Sequence, residues 1–189
     1  MNATVAHISI PKQGEVANGD SVLVRHSTTG QLLFAVVDGL GHGPAAAEAS
    51  QAAISCLQNA SFDQPLLVLM QAAHAQLRGT RGAAATVCVL RGRTLESCAV
   101  GNVQLSCLNA AVPLVLSSGV LGMRVAKFRV CEAVLNPGCR IALFSDGIST
   151  KFRLDDTRNL VPQQACQLAL ERHRKKEDDA TILIVDVEA

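Results

Sequence analysis

The sequence predicts an α+β fold in which antiparallel sheets are covered by helices. Strand-like segments come in consecutive runs and helical ones in separate blocks, which disfavours a regular parallel βαβ order. Hydrophobic residues make up 49% of the chain, ample for a packed interior. Aromatics are only 3%, with no Trp and no Tyr, so that interior must be built from Ala, Val, Leu and Ile. A chain of 189 residues most simply forms one domain, spanning 1–189.

Residues 3–10 and 20–26 read as strands, and a stronger apolar run follows at 31–37. The Thr28-Thr29-Gly30 turn makes the last two a hairpin. Gly39, Gly41 and Gly43 then precede Pro44, a loop that should bring backbone close to something, with the proline suited to a first helical turn. That helix runs to about Asn59 and places Ala46, Ala49, Ala53 and Leu57 on one face. A second is expected from near Asp63, with Pro65 in its first turn and Leu66, Leu69, Met70, Ala73 and Leu77 as its buried stripe. The segment Arg78-Gly79-Thr80-Arg81-Gly82 breaks the pattern. Strands follow at 84–90, 94–100 and 103–108, then runs at 128–135 and 139–145 around the turn Asn136-Pro137-Gly138. A helix around 162–175 and a strand at 180–187 complete the order.

The net charge of +1 supplies no global field for nucleic acid or anionic lipid. Arg172, Arg174, Lys175 and Lys176 gather locally, but Glu171, Glu177, Asp178 and Asp179 interrupt them, as on a solvated helix end. The seven cysteines include no Cys-x-x-Cys pair, and several lie in apolar stretches where a free thiol serves as a small core residue. Such usage suits a reducing compartment. The N-terminal residues lack a secretory pattern, and no apolar run approaches the roughly 18 residues of a membrane span. A cytoplasmic location and no membrane partner are expected.

The chemistry is concentrated where aspartates meet apolar runs. Leu32 to Gly39 and Ile141 to Gly147 each run strand-then-Asp-Gly, at Asp38 and Asp146, whereas Asp178-Asp179 opens the last strand. Carboxylates crowded at strand ends repel one another unless a cation neutralises them. Oxygen donors of this kind suit magnesium or manganese rather than zinc. Two isolated Asp-Gly pairs would be ordinary turns; three acidic strand ends together with Gly19-Asp20-Ser21 favour metal. An aspartyl-phosphate route would prefer a second acid two residues after Asp38, and position 40 is Leu. No convincing Ser-His or Cys-His arrangement offers another nucleophile.

Six segments, in order, resemble the PP2C-type metal-dependent serine/threonine phosphatases, in particular their small bacterial sporulation-phosphatase and RsbX-like branch. They are Asn18-Gly19-Asp20-Ser21, Asp38 to Gly43, Val100-Gly101-Asn102, Leu121-Gly122-Met123, Phe144-Ser145-Asp146-Gly147 and Asp178-Asp179-Ala180-Thr181. The resemblance implies a four-layer αββα sandwich, two antiparallel sheets flanked by helices, with a metal centre at one end. It implies two Mn2+ or Mg2+ ions, bridged by Asp38 and held further by the Gly39 carbonyl, Asp146, Asp178 and, directly or through water, Asp20. Asp38, Asp146 and Asp178 would then be catalytic through a metal-bound water, in a centre whose ions lie roughly 3.5–4 Å apart. Asp179 is the less favoured ligand of its pair. The implied substrate is a phosphoserine or phosphothreonine protein, a stressosome scaffold or sensor or an anti-sigma antagonist of a partner-switching pathway. A non-catalytic phosphoprotein-binding module and a small phosphate-ester hydrolase are the alternatives.

The pattern has departures. The arginine that larger relatives carry near the first acidic motif has no clear equivalent, leaving Arg25, Arg78 and Arg81 as substitutes. Cys139 stands where related sequences commonly have Asp, a turn variation away from the metals. His42 is expected to be exposed, Asn102 to serve turn geometry, and Thr181 either to hydrogen-bond beside the site or simply to start a strand.

Overall fold

The computed structural model describes residues 2–188. Its strands are β1 Ala3–Ile10, β2 Asp20–His26, β3 Leu32–Gly39, β4 Ala83–Arg91, β5 Thr94–Val100, β6 Gln104–Leu108, β7 Leu116–Ser117, β8 Val130–Val134, β9 Arg140–Phe144 and β10 Ala180–Val187. Its helices are α1 Pro44–Gln58, α2 Leu66–Gln76 and α3 Pro162–His173, with a 3₁₀ turn at Leu154–Thr157. One sheet has the order β1-β10-β9-β6; the other has β2-β3-β4-β5-β7, with β8 also paired to β5. Pairing is antiparallel except for the short β5–β7 contact.

Three apolar layers hold this four-layer αββα stack together. Between the sheets lie Phe34, Val36, Cys88, Leu95, Ile141, Leu143, Leu183 and Val185. The opposite face of the larger sheet packs Ala35, Val37, Ala85 and Val87 against Ala53, Leu57, Leu66 and Met70 of α1 and α2. On the smaller sheet, Ala142, Ile182 and Ile184 meet Ala165, Cys166 and Ala169 of α3. Central strands buried on both faces carry continuous Val/Leu/Ile runs, as their position demands. The expected α1 and α2 stripes, from Ala46 to Leu57 and from Leu66 to Leu77, are buried throughout.

The differences from the sequence reading are local. The second helix opens at Leu66, because Gln64 precedes a proline and is steered from helical geometry, and Pro65 itself is extended at ψ 142°. The third helix stops at His173 rather than 175: Arg174 turns extended and bridges Ile148, and the Lys175 N–H donates to the Gly147 carbonyl. Two-residue β7 and the 3₁₀ turn were too short to carry a periodicity. The segments 94–100 and 103–108 join different sheets, so the Gly101-Asn102 turn crosses the sandwich.

One buried cation ties that 3₁₀ turn to the sheet. Arg140 forks onto Asp186, Nε to Oδ1 and Nη2 to Oδ2 at 2.6 Å each, and also donates to the Thr157 and Leu160 carbonyls. Arg140→Ala strands a partly buried carboxylate and two carbonyls, so we expect a loss of about 2–3 kcal/mol in urea unfolding.

Candidate metal centre

Strand register brings the acids together. In the larger sheet, Asp20 of β2 lies directly opposite Asp38 of β3, and Asp38 opposite Ala84 of β4. In the smaller sheet, β9 and β10 are paired, so Asp146 just after β9 lies beside Asp178-Asp179 just before β10. Asp38, Asp146 and Asp178 line one cavity of about 310 Å³ with Leu40, Gly41 and Asn102. Asp20 lines instead a different recess with Ser9, Asn18 and Gln51. A cavity of about 330 Å³ elsewhere, lined by Arg140, Arg158 and Asp186, holds charges already paired with one another or with Asp155.

Repulsion and burial dominate the electrostatics. The Asp38 carboxyl is pushed up to about 8, by burial first and then by the charges of Asp20, Asp146, Asp178 and Asp179. Asp20 is raised to about 7 by burial, partly offset by the Ser145 and Thr181 hydroxyls and reinforced by Asp179 and Asp146. Asp178 is raised by burial and then by Asp146, with Lys175 among the groups pulling it back. Between the ordinary carboxylate range and these folded values, the native state holds protons that the unfolded chain has released. Stability of the metal-free protein must therefore fall as pH rises from about 4 to about 8. In chelator, we expect a higher melting temperature at pH 5 than at pH 8; an unchanged or reversed order would contradict this electrostatic picture.

Oxygen donors from four aspartates match a hard divalent ion. Asp20 Oδ2 accepts a 2.6 Å bond from the Ser145 hydroxyl, yet its Oδ1 is buried without a partner. An orphaned buried carboxylate oxygen beside three mutually repelling neighbours is the donor set a cation would satisfy. Among the described residues, no three His, Cys, Asp or Glu side chains close on a single point as they stand. Gly39 is buried at the same strand end; its N–H donates to the Gly19 carbonyl, and a Cβ there would lie 2.1 Å from the Ala46 carbonyl oxygen. Only glycine lets α1 pack so closely on the Asp38 strand.

Asp179 is committed elsewhere: its oxygens accept from the backbone N–H groups of Lys12, at 2.8 Å, and Gly19, at 3.1 Å. It thus fixes the loop that presents Asp20. Asn102 corrects its sequence reading, because its Nδ2 donates to Asp146 Oδ2 at 2.7 Å inside the cavity. Thr181 belongs to a polar chain behind the site, running from Asn18 Nδ2 through the Ser9 hydroxyl to Thr181 Oγ1, while the Thr181 N–H donates to Ser145 Oγ. Ser145 and Lys175 were missed as site residues; Lys175 Nζ donates to the Asp146 carbonyl at 2.6 Å. The signals for them were Ser145's place in the motif around Asp146 and Lys175's position three residues before Asp178. His42 is half exposed and pairs with Glu15 at 3.0 Å. Arg25 is spent on the end of α1, donating to the Leu57 and Ala60 carbonyls with its guanidinium 4.8 Å from the Phe62 ring centre.

The family model described as stage II sporulation protein E (SpoIIE) matches residues 28–188. Phosphoserine phosphatase RsbX of Bacillus subtilis (strain 168) is 27% identical over 144 residues, covering 73% of this chain and 71% of that protein. A solved chain from the bacterial stressosome, described as a modular system adapted to control secondary messenger signaling, is 29% identical. It superposes with a TM-score of 0.89 over 98% of this chain and all (100%) of that one. RsbX in complex with magnesium superposes at 0.84 with 22% identity, over 97% of this chain and 94% of that one. The catalytic domain of the serine/threonine phosphatase PstP with two manganese ions gives 0.77 with 19% identity, over 99% of both chains. At those identities the last two establish the fold alone. Among the described residues, no helix is long and apolar enough to cross a membrane.

Proposed function

The chain belongs to the stage II sporulation protein E family, and from that premise we propose that it is a manganese- or magnesium-dependent phosphatase of phosphoserine or phosphothreonine proteins. The observation that carries the reading is the convergence of Asp38, Asp146 and Asp178 on one cavity, with Asp20 buried beside Asp38 and one of its oxygens unpartnered. Asp38, the Gly39 carbonyl, Asp146, Asp178 and Asp20 would hold two divalent ions. When bound, such ions supply Lewis acidity and a water acidic enough to act near neutral pH.

The chain's own residues do the positioning. The Asn102 amide fixes one Asp146 oxygen, leaving the other free to bind, and Lys175 braces the same turn through the Asp146 carbonyl. Ser145 holds one Asp20 oxygen and leaves the other without a partner, and Asp179 locks the Asp20 loop from behind. The cavity opens on exposed loops around Leu40 and Gly41, suited to a phosphorylated side chain presented on a protein surface.

Similarity to RsbX and to a stressosome chain supports a substrate among stressosome scaffold or sensor proteins, or among phosphorylated anti-sigma antagonists, met in the cytoplasm. Phosphate release from a phosphoserine protein or peptide, with and without manganese, tests the reading. No turnover on phosphopeptides and candidate phosphoproteins, with folded and metal-loaded protein, would shift it to a binding module or a small-ester hydrolase.

A further inference from the structure

A phosphate monoester is a dianion, and the candidate site confronts it with a cluster of carboxylates. Metal charge offsets part of that field; a side-chain cation at the rim is needed to hold the non-bridging oxygens. Most basic groups nearby are already engaged. Arg25 caps α1 on the far side of the larger sheet, and Lys175 is bonded to the Asp146 carbonyl. Arg124 lines, with Met123, a neighbouring, largely apolar recess that shares Gly119 and Val120 with the carboxylate cavity.

Arg81 differs from these in position. Like Arg78 and Arg124 it is exposed, and among the described residues its side chain takes part in no ion pair; what sets it apart is its place against the glycine loop. Its Nη1 lies where a side chain on Gly41 would point, 3.1 Å from the Cβ position of that residue, and Gly41 lines the carboxylate cavity. Gly41 has φ 88°, so a side chain there is disfavoured on backbone grounds too, and the space over the loop stays open to the guanidinium.

The backbone beneath Arg81 is fixed although its side chain is free. The Leu40 N–H donates to the Gly82 carbonyl at 2.9 Å, joining the Arg81 loop to the glycine loop. Thr80 Oγ1 accepts from the Gly82 N–H at 3.0 Å and donates to the Leu77 carbonyl at 2.7 Å. Gly82 itself is wedged so tightly that a Cβ would lie 2.4 Å from the Leu121 carbonyl oxygen. A pre-positioned base with an uncommitted guanidinium is what an anion receptor requires.

We propose that Arg81 is the side chain that grips the phosphoryl group of the substrate at this cavity, and that it is a binding rather than a metal-holding residue. The inference rests on the phosphatase reading for its substrate but on geometry for the anion site. Its test compares wild type, Arg81→Ala and Arg81→Lys, with Arg124→Ala as a control from the neighbouring recess. For a phosphoserine peptide with manganese, Arg81→Ala is expected to raise KM by about tenfold or more, with a smaller fall in kcat, and Arg81→Lys to restore part of it. Binding of inorganic phosphate to the manganese-loaded protein, followed by calorimetry, should weaken by a similar factor. Manganese affinity and melting temperature should stay at wild-type values, as should KM in Arg124→Ala.

Unchanged KM and unchanged phosphate affinity in Arg81→Ala would overturn the inference, and so would an equal loss in Arg124→Ala, which would signal only a diffuse positive field. Wild-type protein that binds phosphate through Arg81 but turns nothing over would retain the anion site and sink the phosphatase reading instead.

Discussion

Asp38→Asn is expected to lower manganese-dependent phosphate release by about 10³-fold or more and, in metal-free protein at pH 8, to raise the melting temperature. The two effects have one cause. Asp38 sits at the centre of the acidic group: Asp20 is opposite it in the sheet, and Asp146 and Asp178 share its cavity. Its carboxyl is held up to about 8 by burial and by those neighbours, so ionising it in the folded protein costs stability that an amide does not. Removing the charge should stabilise the metal-free form by a few degrees while deleting a carboxylate proposed to hold the metal.

The control readout is the manganese-induced rise in melting temperature, expected to be large in wild type and nearly absent in the variant. A variant that keeps full turnover would remove Asp38 from the mechanism. One that loses turnover together with cooperative unfolding would show only that the strand end has collapsed. Stabilised apo protein with lost turnover and lost metal response is the combination that a metal ligand, and not a structural residue, produces.

Much of this was legible in the chain itself. The alanine face of α1 and the α2 stripe from Leu66 to Leu77 were readable because a helix repeats every 3.6 residues and both stripes are fully buried. Asp38 and Asp146 were readable because each ends an apolar run that cannot itself hold a charge. What stayed hidden depended on register between distant strands. Asn102 looked like a turn residue because its bond to Asp146 spans 44 positions of sequence. Ser145 looked like part of a motif, and only the fold turns its hydroxyl onto Asp20, 125 positions away. Three arginines looked interchangeable in the sequence. Geometry separates Arg25, half-buried and bonded to the end of α1, from Arg81, poised over the glycine loop.

Gly147→Ala is expected to cost at least ~4 kcal/mol and to abolish activity with it, although the sequence shows only an Asp-Gly turn there. Backbone conformation is not the reason, since Gly147 is absent from the residues with positive φ. The reason is approach: a Cβ would lie 1.9 Å from the Asp179 carbonyl oxygen, 2.8 Å from its carbonyl carbon and 2.9 Å from the Ala180 Cα. None of these is a flexible side-chain end, so the two turns carrying Asp146 and Asp178 must separate. The Gly147 carbonyl also accepts the Lys175 N–H at 2.8 Å, so the shift would pull on the chain end of α3 as well. Gly30→Ala provides the comparison: φ is 81° there and nothing lies within 4 Å of the added methyl, so only backbone strain of about 1 kcal/mol applies. Thermal unfolding should therefore place Gly147→Ala roughly 8–16 °C below wild type and Gly30→Ala only about 2–4 °C below. Equal penalties at the two positions would mean that the Asp146 and Asp178 turns do not meet as closely as the fold requires, and the shared carboxylate cavity would lose its support.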